Sequence, residues 1–154
     1  MAIRQIRLNN DEVLRKKSKE VEVINEKIIQ ILNDMVETMY HNGNACGLAC
    51  PQIGILKRIV VIDMGQGLIK LINPKIIHKE GTQEVIEGCL SIPGKSGKLN
   101  RPKTVTVQAL NEFGKPIKIN GTGDMAKCLC HEIDHLDGIL YTDKVMQYTP
   151  VLKK

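Results

Sequence analysis

The stretch His131-Glu132-Ile133-Asp134-His135 governs how the rest of this chain is read. On a helix it sets two imidazoles one turn apart, about 40° from each other around the axis, where both can grip one divalent metal. Glu132 falls on the flank of that face, about 60° beyond His135, within reach of a water at the metal without becoming a ligand. These are the parts needed for metal-assisted hydrolysis. An arbitrary His-x-x-x-His is more often a polar surface helix; the intervening Glu weighs against that reading, and a third ligand would weigh further.

A catalytic site of the zinc type needs three protein groups and one open position. After His135 the chain has no His, Glu or Cys, only Asp137, which faces away on the same helix, and Asp143 in the short run that ends the fold. The third ligand is therefore sought upstream. There Glu87-Gly88-Cys89-Leu90-Ser91-Ile92-Pro93-Gly94 holds a cysteine in a tight segment, with Gly88 allowing close backbone approach and Pro93-Gly94 reading as a turn. Cys89 is the expected third ligand. A third segment, Gly47-Leu48-Ala49-Cys50-Pro51-Gln52-Ile53-Gly54, is built of small residues around a proline and carries a neutral amide donor, so a peptide backbone could lie against it.

In this order and at these separations the three segments resemble the peptide deformylases. That family carries a Gly-x-Gly-Leu-Ala-Ala-Pro-Gln type first motif, a Glu-Gly-Cys-Leu-Ser second and a His-Glu-x-x-His third. The second and third are intact here, and the resemblance runs from Val13-Leu14-Arg15 to Leu136-Asp137-Gly138. Ala45 stands where the family usually has Gly, Cys50 where it has Ala, and Cys130 where a Gln commonly precedes the first His. None of these is a ligand position; they bear on pocket shape and backbone reach. Little chain remains after Tyr148-Thr149-Pro150 for the long terminal helix of some relatives.

The resemblance implies a hydrolase that removes the formyl group from formyl-methionyl polypeptides and releases formate. It implies one divalent metal on Cys89, His131 and His135, usually iron(II), with zinc, nickel or cobalt able to replace it. Glu132 would carry the proton from water to the departing amine, while the Gln52 amide and the Leu90 backbone N–H would steady the oxyanion. The methionine side chain would enter a pocket of Cys46, Val85, the stem of Glu87, Cys128 and His131, and backbone groups of Gly47 and Gly88 would pair with the peptide. Arg101 matches an Arg that could hold Glu87; an ordinary surface Arg before Pro102 is an equal reading. Cys128, one turn before His131, is a rival thiolate that crowding disfavours, and Cys130 reads as core. His41 and His78 have no partners at ligand spacing.

Composition bounds the remaining possibilities. With 154 residues, 42% of them hydrophobic, a single domain over 1–154 can bury a sizeable core, made mostly of Ile, Leu, Val and Met because there is one Phe, three Tyr and no Trp. So few aromatics disfavour nucleic-acid readers that stack bases, and no sequence-specific nucleic-acid partner is expected. No apolar run has the length of a signal peptide or a membrane span, which points to a cytoplasmic protein without a membrane partner. Five cysteines, an odd number clustered near the proposed site, suit a reducing compartment. The net charge of +5, much of it in Arg15-Lys16-Lys17, Lys57-Arg58 and Lys153-Lys154, is usually only a solvated surface; the resemblance adds a weak ribosome association as the functional alternative.

Periodicity gives the outline of the fold. Ile24 to Tyr40 repeats apolar residues at helical steps, with Asn25 as cap and Gly43 near its end. Strands are expected at Arg58 to Met64 and Leu68 to Asn73, joined at Gly65-Gln66-Gly67, then at Lys75 to His78, Thr82 to Ile86, Thr104 to Leu110 and Pro116 to Asn120, with a turn at Asn111-Glu112-Phe113-Gly114. Asp124 to Leu136 reads as the metal-bearing helix, stopped by Gly138. The expected class is α+β, antiparallel sheets packed around a C-terminal metal-bearing helix, with an N-terminal amphipathic helix. Two rival functions are a metallopeptidase that cuts internal bonds, disfavoured by a cysteine ligand, and a metal-stabilised module that binds peptide N-termini, which would need neither Glu132 nor Gln52.

Overall fold

A computed structural model describes residues 2–43 and 46–149; Ala45 and the Lys153-Lys154 pair lie outside them. Its first helix, α1 (Glu26–His41), begins where Asn25 turns its side chain to accept a hydrogen bond from the Ile28 N–H, satisfying one of the donors that a helix start leaves open. Seven strands follow before the second helix: β1 (Gly47–Ala49), β2 (Ile59–Asp63), β3 (Leu68–Glu80), β4 (Gln83–Cys89), β5 (Ile92–Arg101), β6 (Thr104–Leu110) and β7 (Pro116–Thr122). Helix α2 (Asp124–Leu136) and a short strand β8 (Gln147–Thr149) complete the order.

The strands form two antiparallel sheets, one of five strands in the order β1-β2-β3-β6-β7 and one of three in the order β4-β5-β8. Alternation along β2 separates two cores. Val60 and Ile62 face α2, packing with Leu129, Cys130, Ile133 and Leu136, whereas Ile59 and Val61 face α1, packing with Ile28, Leu32, Met35 and Met39. A third cluster of Leu14, Val85, Ile92, Leu99, Leu140 and Tyr141 backs the smaller sheet.

Helix α2 is buried on two stripes. Ala126, Leu129, Cys130, Ile133 and Leu136, at helical steps, lie on the large sheet; Cys128, His131, Glu132 and His135, also at helical steps, form a second stripe that is equally inaccessible to solvent. The C-terminal end of α2 is fixed by distant chain: the Leu136 carbonyl accepts from the Ser18 N–H at 2.8 Å and from Arg58 Nη1 at 3.0 Å. Gly138 then turns with φ of 73°, where a Cβ would lie 2.5 Å from the Arg15 carbonyl oxygen, so only glycine fits the stop.

Three expectations from the sequence need correction. Lys75 to His78 is not a separate strand but part of β3, which passes Asn73-Pro74 through a register slip with Asn73 at φ 54°. Asn tolerates that left-handed conformation, and its side-chain amide is held by both backbone groups of Val21. Pro93-Gly94 is not the turn; the chain reverses at Leu90-Ser91, and both residues lie in β5. β1, β5 and β8 were not anticipated: β1 and β8 are only three residues long, and Ile92–Arg101 is rich in Gly, Lys and Ser and lacks the apolar alternation that marks a strand.

Candidate metal and catalytic site

Cys89 ends β4, where the pairing with β5 slips a step between Glu87 and Cys89, and this irregularity delivers its sulfur beneath the second stripe of α2. The ligating atoms of Cys89, His131 and His135 all lie within 4.8 Å of one another, the only such group of three or more metal-binding side chains among the described residues. Cys89 Sγ is 3.4 Å from His135 Nε2. A tetrahedral ion with bonds of about 2.3 Å to sulfur and about 2.0 Å to imidazole separates those two donors by about 3.5 Å, so the donor set fits a metal of this class.

The ring of His131 is oriented from behind. Its Nδ1 lies 2.6 Å from Glu87 Oε1, which leaves Nε2 as the ligating nitrogen. Glu87 in turn takes two hydrogen bonds from Arg101, 2.7 Å from Nε and 2.9 Å from Nη2, and the remaining Arg101 nitrogen, Nη1, reaches Asp134 at 2.6 Å. Burial alone would raise the Glu87 carboxyl, but the Arg101 fork and His131 outweigh it and bring it down to about 2. Tyr141 closes the other side, its ring 6.1 Å from that of His131 and nearly parallel to it.

Glu132 is wholly enclosed, and its Oε1 has no hydrogen-bond partner among the described residues. Burial pushes its carboxyl up to about 8, against the pull of His131. Gly47 makes room for it, since a Cβ there would come 2.9 Å from both Cγ and Oε2 of Glu132. Gln52 sits on the 3-10 turn Cys50–Ile53; its Oε1 accepts from the Ala49 N–H at 3.0 Å, which turns Nε2 towards Ser91 Oγ at 3.2 Å and Cys89 Sγ at 3.5 Å. The amide is thus presented to the ligand sulfur as a donor.

These groups border a cavity of about 360 Å³, within the range of small-ligand sites. Cys46, Gly47, Gln52, Glu87, Gly88, Cys89, Leu90, Cys128, His131 and Glu132 line it, while His135 lies behind. Val85 does not line it. Val85 packs into the third core cluster, and its neighbour Ile86 lines the cavity. Ile86, Pro93 and Lys127 on the wall, and Tyr141 behind His131, were also missed. Cys128 is no metal ligand in this arrangement: its sulfur lies 3.0 Å from that of Cys46. Cys130 packs in the core, and His41 and His78 are exposed.

Comparison with known proteins places the family and the fold. The family model described as polypeptide deformylase matches residues 3–150. "Peptide deformylase 2" of Clostridium acetobutylicum is 62% identical over 148 residues, covering 96% of this chain and 99% of that protein. Among solved structures, a peptide deformylase from Legionella pneumophila superposes with a TM-score of 0.90 at 46% identity, covering 94% of this chain and 86% of that one. Peptide deformylase from Thermotoga maritima gives a TM-score of 0.91 at 37% identity, covering 94% and 99%.

The Glu87 carboxyl yields a pH prediction. Its folded value of about 2 lies below the ordinary 4.5, so its stabilising contribution is complete above pH 4.5 and is lost as pH falls towards 2. Denaturant unfolding should show wild type exceeding Glu87→Gln by about 3 kcal/mol at neutral pH, with the gap closing on acidification through that window. A gap that stays constant contradicts the assignment.

Proposed function

The chain belongs to the polypeptide deformylase family, and we propose that Cys89, His131 and His135 hold the divalent metal on which its reaction depends, with Glu132 as the proton carrier. The enzyme removes the formyl group from the N-terminal formyl-methionine of newly made polypeptides and releases formate. When bound, the metal acidifies a water and polarises the formyl carbonyl. Iron(II) is the ion proposed, with zinc, nickel or cobalt able to take its place on the same donors.

The carboxylate of Glu132 takes the proton of the attacking water and returns it to the amine nitrogen as the C–N bond breaks. Enclosure favours the protonated form of this carboxyl, which supports its holding the proton between the two transfers. Gln52 Nε2 and the Leu90 N–H donate to the carbonyl oxygen as it gains charge. Arg101 and Glu87 act through His131, fixing its ring so that little reorganisation accompanies the reaction. The methionine side chain occupies the cavity against Cys46, Cys128, Ile86 and the stem of Glu87, while Gly47 in β1 and Gly88 in β4 offer extended backbone to the peptide. The observation that carries this reading is the convergence of one sulfur and two imidazoles beside an enclosed, unpartnered carboxyl.

No described helix is long and apolar enough to cross a membrane. The substrate class supports a cytoplasmic location, and the net charge of +5 supports a weak ribosome association. Arg15 and Arg58 are already paired with Asp143 and Asp137, so any such contact falls mainly to the neighbouring lysines. Co-sedimentation with ribosomes should therefore fade as salt is raised; none at low salt rules the association out.

Formate release from metal-reconstituted protein tests the chemistry. Formyl-Met-Ala should be hydrolysed and acetyl-Met-Ala left intact. Glu132→Gln should keep its metal and lose about 10²-fold or more in kcat, whereas Cys89→Ala should lose the metal. Undiminished turnover in Glu132→Gln removes Glu132 from its role.

A further inference from the structure

Cys46 and Cys128 stand on one wall of the cavity, brought together from the entry to β1 and the second stripe of α2. Their sulfurs are 3.0 Å apart, about 1 Å more than the length of a disulfide bond. The other three cysteines are differently placed. Cys50 and Cys130 are sealed in the two large cores, and Cys89 belongs to the metal set. Cys46, by contrast, is only half-buried and faces the cavity. We propose that Cys46 and Cys128 form a hydroperoxide-responsive dithiol site, which closes reversibly to a disulfide within the cavity wall.

The two members have different roles. Cys46 is half-buried and faces the cavity, where a peroxide can reach its sulfur, whereas Cys128 on α2 is buried. Cys46 is accordingly the nucleophile and Cys128 the resolving thiol. The Cys46 sulfur attacks one peroxide oxygen; the S–O bond forms, the O–O bond breaks, and the departing oxygen leaves with the electron pair and a proton as water or alcohol. Cys128 then attacks the sulfenic sulfur, forming S–S and breaking S–O, and the hydroxyl leaves with the Cys128 proton as water. Two thiols are oxidised and one hydroperoxide is reduced. A resolving sulfur already in contact with the sulfenic one forestalls oxidation to sulfinic acid.

Closing the pair ties the entry of β1 to α2. A Cβ at Gly47 would already lie 3.2 Å from Cys128 Sγ, so movement of that sulfur is felt where the backbone passes Glu132. The linked form should admit an unbranched apolar side chain less well. This consequence rests on assigning the cavity to methionine; the thiol chemistry does not.

The test uses nickel-loaded protein treated with hydrogen peroxide, digested, and mapped by mass spectrometry. The expected product is a dithiothreitol-reversible Cys46–Cys128 link formed with metal retained, accompanied by a rise of about tenfold in KM for formyl-Met-Ala. In Cys128→Ser, dimedone should trap Cys46 as a sulfenic acid. Conversion of Cys46 to sulfinic acid with Cys128 still free, or a link to Cys89 instead, would overturn the proposal; a linked protein with unchanged KM upholds the thiol pair and overturns only its effect on the cavity. A reduced enzyme that releases no formate refutes the deformylation reading instead, and the peptide map still decides the thiol pair.

Discussion

Glu87 is the carboxylate on which the interior of this protein turns. An imidazole buried in a core has two nitrogens to satisfy, and if one is to ligate, the other needs a partner that neither moves nor admits water. Glu87 is that partner, and it remains ionised in the core only because Arg101 grips it with two hydrogen bonds. Arg101 in turn spans to Asp134 on the solvent side of α2, where Lys144 also arrives at 3.1 Å. The chain of charges runs from the surface to the ligand without an unpaired ion, and removing Arg101 would leave the buried Glu87 charge without its cation, typically at a cost of about 3–5 kcal/mol.

The fold supplies what this network requires. Helix α2 carries its ligand stripe and hydrocarbon stripe on opposite sides, so the large sheet anchors it while the smaller sheet brings Glu87, Cys89 and Arg101 to its other face. Within that enclosure two carboxyls of similar chemistry diverge. Glu87, paired with Arg101, falls to about 2 and serves as a fixed charge; Glu132, with Oε1 unpartnered, rises to about 8 and can exchange a proton. Environment alone separates the two roles.

Much of this could be read in the sequence because local rules and ligand spacing coincide. The His131/His135 step fixes which side of α2 must face the metal, Asn25 marks the start of α1, and the apolar alternation of Thr104–Leu110 marks β6. Other features follow from pairing between distant segments and leave no local signal. Arg101 meets Glu87 through the hairpin of β4 and β5, and β5 itself is hidden by its Gly, Lys and Ser. The Val85 and Ile86 exchange has the same origin: alternation shows that the two residues face opposite ways, but only the packing of the sheets shows which way is inward.

The central claim is that one thiolate and two imidazoles share a single ion. X-ray absorption at the metal edge of the zinc-loaded protein tests it most directly. The account predicts one sulfur at about 2.3 Å with two imidazole nitrogens at about 2.0–2.1 Å, and loss of the sulfur in Cys89→Ser. A shell of nitrogen and oxygen alone, or a sulfur that persists in Cys89→Ser, would contradict it.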